Sequence, residues 1–575
     1  MDKKNVIICY KHSAQLEANF ESVEETNLNT RNMSIANNLP GFSADHGYAP
    51  VAVPSYSDSN IEEYQEFDVK ADMRTAKDLT SSFYIIRGSV DEDKLDSFVM
   101  AAEKDEKIVG VYADPVISHF EVCPGSTAIG LHADVENKLG VQTLKNCGMT
   151  GEGVTVAIVD SGVNLDHLRA KGKSPRFNAA DSWMPSSTLP GRQPGSMPVD
   201  HGTMVAYDVL IAAPECTLID IALLQSRQSD DTVMSGFLSD AIAAYRHLMD
   251  IMTRDADIGK NKSLVVNNSW GMYNPSWDFP VGHSGNYSDN STHPFNIIVR
   301  SLERLGADIL FAAGNCGEEC PSSRCQGFTA SSIYGANSSP YVLTVAGVSI
   351  HHDRLGYSSI GPGRLDRKKP DISGYTHFKG SGVYPIDNGT SAACPVIAGV
   401  IASIRNKKPL NLNDSQTRPA AIRKLITSTA TDLGISGYDL RHGYGVVNTQ
   451  KIQEKICPPA VIDICDRYPG ICNFCKINPH ICDMMRRWGF PGIPDFSGGP
   501  IAPLSASPQV HSGQYSLTAV DTYISATGNL NQAFQPAHFS EEFLRGMEFA
   551  LTMQQANPSS KPKSVITGDC NCHDH

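Results

Sequence analysis

The sequence lacks any apolar run of the roughly 18 residues that a membrane-spanning helix needs, so we expect no membrane span. It also lacks an excess of positive charge, since 48 Lys and Arg stand against 62 Asp and Glu, for a net charge of −14. Nucleic-acid-binding proteins typically present a basic face, so we expect no nucleic-acid partner. The apolar stretch at residues 6–9 is too short for a secretory signal. These features favour a cytoplasmic location, with export by a non-classical route as the alternative.

Three short segments place an Asp, a His and a Ser beside glycines. Asp160 follows the run V-T-V-A-I-V, His201 begins H-G-T-M-V-A, and Ser391 lies in N-G-T-S-A-A-C-P. A serine hydroxyl becomes a useful nucleophile when a base lies within hydrogen-bond reach and a third group orients that base. Asp160 at a strand end, with His201 and Ser391 at helix starts, can supply this arrangement. The order Asp, His, Ser is one of three unrelated chain orders that reach the same geometry.

Two further segments, A-D-I-L-F-A-A-G-N ending at Asn315 and L-V-V-N-N-S-W-G ending at Gly271, read as buried strands. Together the five segments resemble the subtilisin-like serine peptidases (subtilases), as a divergent member. The resemblance implies that Asp160, His201 and Ser391 form the catalytic triad. It also implies that the Asn315 side chain stabilises the oxyanion, together with the Ser391 N–H. Substrate binding is assigned by the same resemblance to Ser269, Trp270, Gly271, Ala313 and Gly314.

Trp270 differs from the smaller aliphatic residue that the family commonly carries at this position. Two interpretations stay open: the indole forms a wall of a substrate subsite, or it packs against a neighbouring loop. The backbone role is independent of that choice, because an extended peptide pairs with the main chain of such a strand.

Between about residues 140 and 455, strands alternate with helices, which is typical of a parallel sheet covered on both faces. We therefore predict an α/β, subtilisin-like catalytic domain with a mostly parallel sheet flanked by helices. The predicted strands are 154–160, 217–224, 263–269, 307–313 and 341–347. The predicted helices are 201–212, 234–254, 295–305, 391–404 and 418–429.

The N-terminal part is predicted in two pieces. Residues 1–80 are polar and acidic, which favours a largely irregular leader. Residues 81–120 contain a predicted strand (83–88), helix (90–104) and second strand (107–117), a small α+β unit that resembles the inhibitory propeptide of the family. The resemblance implies that the N-terminal segment acts as an intramolecular inhibitor of a self-processed zymogen. A permanent structural subdomain is the alternative.

The 15 cysteines are clustered. Cys316, Cys320 and Cys325 follow Asn315 and could form a disulfide, a partial metal site or free thiols, of which we favour a disulfide that braces this loop. Residues 456–488 form a Cys-rich module, followed at 489–575 by a Pro-, Gly- and Ser-rich linker and tail. The module could bind zinc or form two disulfides, and we favour disulfides. Its candidate zinc ligands are Cys465, Cys472, Cys475 and Cys482.

No cofactor is expected to be required. Many relatives insert a calcium-binding loop shortly after the catalytic His, and the short chain between His201 and Ala213 shows no such loop, so we do not predict that calcium site. The best-supported function is a serine endopeptidase that hydrolyses protein or peptide substrates through an acyl-enzyme. One alternative is a processing or transpeptidating enzyme for a dedicated precursor peptide. Another is a non-catalytic peptide-binding scaffold, which the intact set of predicted catalytic residues disfavours.

Overall fold

The computed structural model describes residues 3–11, 39–54, 83–123, 126–225, 235–257 and 262–457. The chain divides into two compact units, Met1–Ile456 and Cys457–His575. Of the second unit only Cys457 is described. The four candidate zinc ligands and the linker and tail over 489–575 therefore lie outside the described residues.

A seven-stranded sheet lies at the centre of the first unit, and every neighbouring pair of its strands is parallel. In spatial order its strands are β15 (Ile372–Tyr375), β14 (Leu343–Val348), β13 (Asp308–Ala312), β11 (Leu264–Asn268), β7 (Thr155–Val159), β9 (Thr217–Ile221) and β8 (Arg176–Phe177). Its central strands are buried along their whole length, as expected for a parallel sheet with both faces covered. The predicted fold class is confirmed.

The helices of the described residues are α1 (Leu95–Ala102), α2 (His132–Lys138), α3 (Val141–Asn146), α4 (Leu165–Ala170), α5 (His201–Ala212), α6 (Leu238–Asp257), α7 (Pro294–Arg304), α8 (Gly389–Lys407), α9 (Pro419–Thr429) and α10 (Thr449–Ile456). Helices α6 and α7 share a hydrophobic cluster with Ala157 and Val159 of β7. Because side chains alternate between the two faces of a strand, Val156 and Ile158 point to the opposite face. Helix α8 packs against α5 and against five strands of the sheet, β7, β11, β13, β14 and β15. The sheet is thus sandwiched between two helical layers.

A second, antiparallel sheet is formed by the N-terminal strands β1 (Lys3–Lys11), β2 (Phe42–Ala44), β3 (Val51–Val53), β4 (Phe83–Asp91) and β5 (Ile108–Ala113). Strand β1 lies between β4 and β5, and its residues 6–10 are buried. The prediction of a largely irregular leader over residues 1–80 is therefore wrong for residues 3–11, and β2 and β3 add to the same sheet. A five-residue apolar run is enough for a strand when partners pair on both of its edges, and those partners are remote in sequence.

The third sheet has three strands, in the order β10 (Ser235–Phe237), β6 (Val116–His119) and β12 (Trp270–Gly271). Both pairings are antiparallel. The single strand predicted over 107–117 is thus two strands, β5 and β6, which belong to different sheets. The break falls at Asp114 and Pro115, because proline has no N–H to donate to a strand ladder.

Buried polar groups hold the N-terminal sheet against α6. The carboxylate of Asp114 accepts hydrogen bonds from Ser239 N and Ser239 Oγ, both at 2.8 Å, in the first turn of this helix. Arg87 of β4 donates to Asp240 (2.7 Å) and to Asp45 (2.7 Å). Burial raises the pKa of Asp114 to about 7, against the opposing effect of Arg87. These contacts fix the position of Asp114, two residues before β6 begins at Val116.

Candidate functional site

Asp160 and His201 are brought together by the ends of their elements. Asp160 is the residue directly after β7, and His201 is the first residue of α5, where the Asp200 carboxylate accepts from the His201 backbone N–H (2.9 Å). The His201 Nδ1 and Asp160 Oδ1 atoms lie 2.8 Å apart, and both side chains are buried. Gly202 permits this approach, because a Cβ there would lie 2.5 Å from a backbone oxygen of the loop after Asp160. The carboxylate is placed to orient the imidazole.

A second buried carboxylate shapes the same loop. Asp220 of β9 accepts hydrogen bonds from Val163 N (3.0 Å) and Gly195 N (2.8 Å). Burial raises the pKa of Asp220 to about 7, with a smaller contribution from the nearby Asp160 charge and against the lowering effect of its two backbone hydrogen bonds. The Asp220 side chain therefore ties the loop after Asp160 to the sheet.

Ser391 is buried in the first turn of α8, which begins at Gly389 with a φ of +74°. Its Oγ donates to the Ser269 carbonyl at 3.4 Å. His201 Nε2 has no hydrogen-bond partner among the described residues, so a hydrogen bond between His201 and Ser391 is not formed in this structure. All three predicted triad side chains nevertheless lie at one end of the sheet, because Asp160 follows the end of a strand and His201 and Ser391 lie in the first turns of helices.

Pro395 lies further into its helix than the sequence indicated. The helix predicted over 391–404 begins two residues earlier, at Gly389, and Pro395 lies inside it. Proline cannot donate to the carbonyl four residues before it, which here belongs to Ser391. The Ser269 hydroxyl donates to that carbonyl instead, at 3.1 Å.

Asn315 follows β13, after Gly314 at a φ of +101°. Its Oδ1 accepts from Thr390 N (2.9 Å) and Thr390 Oγ1 (3.0 Å). The amide is therefore oriented by the start of α8, with Nδ2 directed to the other side. Nδ2 donates to the carbonyls of Phe120 (3.2 Å) and Glu121 (3.1 Å). A donor aimed at a peptide carbonyl beside a serine has the geometry that an oxyanion site needs.

The site is occupied by the protein's own chain. Strand β6 lies between β10 and β12, with His119 opposite Trp270 and Ser118 opposite Gly271. The ring of His119 lies over that of His201, with centroids 4.7 Å apart. An extended segment paired on both edges is the arrangement by which a cleft binds a peptide strand. The bond between Phe120 and Glu121 follows directly after this strand.

The Phe120 side chain fills a pocket whose walls include two of the predicted substrate-binding glycines. A Cβ on Gly271 would lie 2.6 Å from Phe120 Cζ, and one on Gly314 would lie 3.5 Å from it. The Tyr273 ring packs edge-on against Phe120, with centroids 5.4 Å apart. Phe120 itself is buried. The absence of a side chain at Gly271 therefore makes room for an aromatic ring.

The other predicted substrate-binding residues take different places. The Trp270 indole is fully buried against the rings of Phe295 (5.8 Å) and Phe311 (5.4 Å). The indole therefore packs in the core rather than forming a subsite wall, and the backbone of Trp270 pairs with β6. Ala313 is buried, and its N–H donates to Val345 O, so it holds the end of β13 in the sheet.

Two disulfides surround the loop after Asn315. Cys316 is bonded to Cys325, which confirms the expected disulfide in this loop. Cys320 is bonded to Cys123, a residue for which the sequence analysis made no assignment. This second disulfide joins the loop after Asn315 to the segment that follows Glu121.

Sequence reasoning missed the residues that orient the site from outside the motifs. Asn337 donates to Trp270 O (2.9 Å) and Ala312 O (3.0 Å) and so joins the ends of β12 and β13. Thr390 and Tyr273 were also missed, although Thr390 adjoins Ser391 and Tyr273 lies two residues after Gly271. For Thr390 and Tyr273 the only signal in the sequence was that each lies close to a motif, and Asn337 had no such signal.

The described part of the chain has neither a candidate metal cluster nor a candidate membrane span. It contains no group of three or more His, Cys, Asp or Glu side chains placed to hold a metal ion. The expectations about calcium and about zinc at the C-terminal cysteines stay predictions. No helix within the described ranges is both long enough and apolar enough to span a membrane.

The chain was compared with known proteins. A model of the subtilase family matches residues 151–445. Subtilisin NAT of Bacillus subtilis subsp. natto is 29% identical over 325 residues, covering 55% of this chain and 69% of the relative. Subtilisin of Bacillus pumilus is 29% identical over 325 residues, covering 55% of this chain and 96% of the relative.

A solved structure was also matched. Fervidolysin from Fervidobacterium pennivorans, described as a keratinolytic enzyme related to subtilisin, aligns with a TM-score of 0.47 at 15% identity. That alignment covers 79% of this chain and 61% of the fervidolysin chain. The family match itself, over residues 151–445, takes in more than half of the sequence and all the predicted catalytic residues. The chain belongs to the subtilase family of serine peptidases.

Proposed function

We propose that this protein is a serine endopeptidase in which His201 activates Ser391, Asp160 orients His201, and Asn315 stabilises the oxyanion. His201 Nε2 takes the proton of Ser391 Oγ as the oxygen attacks a peptide carbonyl. Asn315 Nδ2 and the Ser391 N–H donate to the oxygen that becomes negative. His201 then gives its proton to the leaving amine, and water hydrolyses the acyl-enzyme. The proposal requires Ser391 Oγ to turn from the Ser269 carbonyl towards His201 Nε2, which has no other hydrogen-bond partner among the described residues.

The observation that carries this proposal is the position of the bond between Phe120 and Glu121. The carbonyl of this bond accepts from Asn315 Nδ2 at 3.2 Å. The preceding residues pair with β12 in an antiparallel register, and the Phe120 ring fills the pocket at Gly271. The protein's own chain thus lies as a peptide substrate would lie, with a defined bond beside the proposed catalytic groups.

The same arrangement supports a zymogen. Strand β6 occupies the cleft, and the N-terminal sheet is fastened to α6 by Asp114 and Arg87. An intramolecular occupant has a high effective concentration and competes with any added peptide. We propose that the N-terminal segment inhibits the enzyme until the bond after Phe120 is cut by the enzyme itself.

Two measurements test the proposal. A fluorophosphonate probe should label Ser391 in the wild-type protein after processing and should not label Ser391→Ala. Mass spectrometry should find a wild-type fragment that begins at Glu121, whereas Ser391→Ala should keep the intact mass. Absence of labelling in processed wild-type protein would contradict the peptidase and favour the peptide-binding scaffold. If the wild-type mass differs from that of Ser391→Ala only by the substituted side chain, self-cleavage is contradicted.

A further inference from the structure

We propose that the disulfide between Cys123 and Cys320 is a clamp that keeps the new amino terminus in the active site after the bond between Phe120 and Glu121 is cut. Residues 121–123, which follow that bond, form the leaving segment. With the clamp closed, the leaving segment continues to fill the half of the cleft beyond Ser391. The half of the cleft beyond Ser391 then becomes available to other substrates only when a thiol reductant opens the disulfide. This inference rests on the proposed function.

The leaving segment contacts the site at each of its residues. The Glu121 carbonyl accepts from Asn315 Nδ2 (3.1 Å), and its N–H donates to the Tyr273 hydroxyl. The Glu121 carboxylate lies 3.6 Å from Arg324 Nη1. Val122 lies against the start of α8, since its Cγ1 is 3.2 Å from the position of a Cβ on Gly389. The segment therefore covers the oxyanion donor and the first turn of the helix that carries Ser391.

The other end of the clamp is fixed to the body of the enzyme. Cys320 lies within the loop closed by the disulfide between Cys316 and Cys325, directly after Asn315. Its N–H donates to Gly356 O at 3.2 Å. The adjacent Glu319 forms ion pairs with Arg354 (2.5 Å) and Arg441 (2.9 Å). A loop with these anchors cannot follow a departing segment.

Beyond the clamp, the next described attachment of this chain is at Ser126 and Ile129. Ser126 Oγ lies 2.8 Å from His377 Nε2, and Ile129 N donates to His377 O at 2.7 Å. With the disulfide intact, the leaving segment is held at Cys123 as well as by the chain that leads to Ser126. With the disulfide open, it stays covalently attached only through the chain that leads to Ser126. Opening the clamp therefore allows the segment to leave the site without further cleavage.

The chemistry balances in two separate steps. In the first, water adds across the bond between the Phe120 carbonyl carbon and the Glu121 nitrogen, which yields a carboxylate and an ammonium group. Until water arrives, the Glu121 amine remains beside the acyl-enzyme at an effective concentration in the millimolar range or above, so it can reform the peptide bond. In the second step, a thiol reductant supplies two electrons and two protons, and Cys123 and Cys320 become thiols while the reductant leaves as its own disulfide. Both cysteines are partly exposed and can be reached.

The test compares processed wild-type protein with Cys123→Ser, using a fluorogenic peptide that carries Phe before the cleaved bond. Reductant should raise the kcat/KM of the wild type by roughly tenfold or more, because it removes an intramolecular competitor. Cys123→Ser should be active without reductant and should not respond to it. Since Cys123→Ser retains the disulfide between Cys316 and Cys325, loss of the response would assign it to the clamp. Cys320→Ser removes the same bond from the other side and should behave alike.

A readout independent of turnover is the reactivity of the Glu121 α-amine. An amine-reactive reagent should modify it slowly in oxidised wild-type protein, and faster after reduction or in Cys320→Ser. Equal activity and equal amine reactivity with and without reductant would overturn the clamp. If instead the fluorophosphonate probe labels neither Cys123→Ser nor Cys320→Ser, the proposed function itself has failed, which is a distinguishable result.

Discussion

At Ser391 the helix geometry and the catalytic geometry depend on the same two residues. Pro395 leaves the Ser391 carbonyl without its usual helical donor, and the Ser269 hydroxyl takes that place at 3.1 Å. The Ser391 hydroxyl in turn donates to the Ser269 carbonyl. The first turn of α8 is thereby held against Ser269, between β11 and β12. Ser269, which the sequence assigned to substrate binding, thus also positions Ser391, the proposed nucleophile.

Replacing Ser269 with Ala should destabilise the protein and lower kcat. The buried Ser391 carbonyl would lose its donor, at a cost of about 1–3 kcal/mol in the free energy of unfolding. The position of Ser391 would also become less defined, so kcat should fall with little change in KM. Denaturant unfolding and steady-state kinetics check the two effects. Unchanged values of both would contradict this role for Ser269.

Replacing Asn315 with Ala should lower kcat by about 10²–10³ and leave KM nearly unchanged. The amide donates to the carbonyl of the proposed scissile bond, and the developing negative charge strengthens that hydrogen bond in the transition state. Steady-state kinetics on one peptide substrate make the measurement. Asn413→Ala, at an exposed position, serves as the matched control. An Asn315→Ala enzyme with an unchanged kcat would show that the charge develops elsewhere.

At the scale of elements, the motifs predicted the catalytic core well and its surroundings poorly. The helix predicted over 201–212 is found as His201–Ala212, because Asp200 caps its start and Pro214 follows its end. The helix predicted from 234 begins at Leu238, since residues 235–237 pair with β6 instead. Strand β15 was not predicted, because four residues carry too little periodicity. The pairing of β6 depends on partners more than 100 residues away, which local patterns cannot reveal.

We expect the short strand β12 to set an aromatic preference at the position before the cleaved bond. Gly271→Ala should reduce cleavage after Phe, because the new Cβ would meet the ring at 2.6 Å. Overpacking of this kind costs about 1–3 kcal/mol, so kcat/KM should fall roughly 5- to 150-fold. A peptide with Ala in place of Phe is the internal control and should be cleaved by the variant as well as by wild type. An equal fall for both peptides would locate the defect outside the pocket.

At the scale of the whole molecule, the N-terminal sheet and helix α6 meet over buried charges. Asp114, Arg87 and Asp240 form this contact at the start of α6, and burial dominates the pKa of Asp114. The two disulfides near the site are typical of proteins in an oxidising compartment, whereas the sequence favoured the cytoplasm. The location stays a prediction.

The contact at Asp114 should make stability depend on pH. Its pKa is raised from 3.8 to about 7, so the folded protein keeps a proton that the unfolded chain has lost between these values. The free energy of unfolding therefore falls as pH rises from about 4 to 7 and is flat above. In the Ser391→Ala background, Asp114→Asn should remove up to about 1.4 kcal/mol per pH unit of this slope. Denaturant unfolding at several pH values checks it, with the exposed Asp96→Asn as control, and identical slopes would contradict it.

The occupied cleft also has a pharmacological consequence. Within residues 117–120, Ile-Ser-His-Phe, Ser118 and His119 pair with β12, Ile117 pairs with β10, and Phe120 fills the pocket at Gly271. A tetrapeptide aldehyde of this sequence is therefore a first inhibitor scaffold, with its carbonyl carbon placed for reversible hemiacetal formation with Ser391. It should compete with peptide substrate, and a version with Ala in place of the terminal Phe should bind more weakly. The protein thus encodes, in its own N-terminal region, a starting compound for blocking itself.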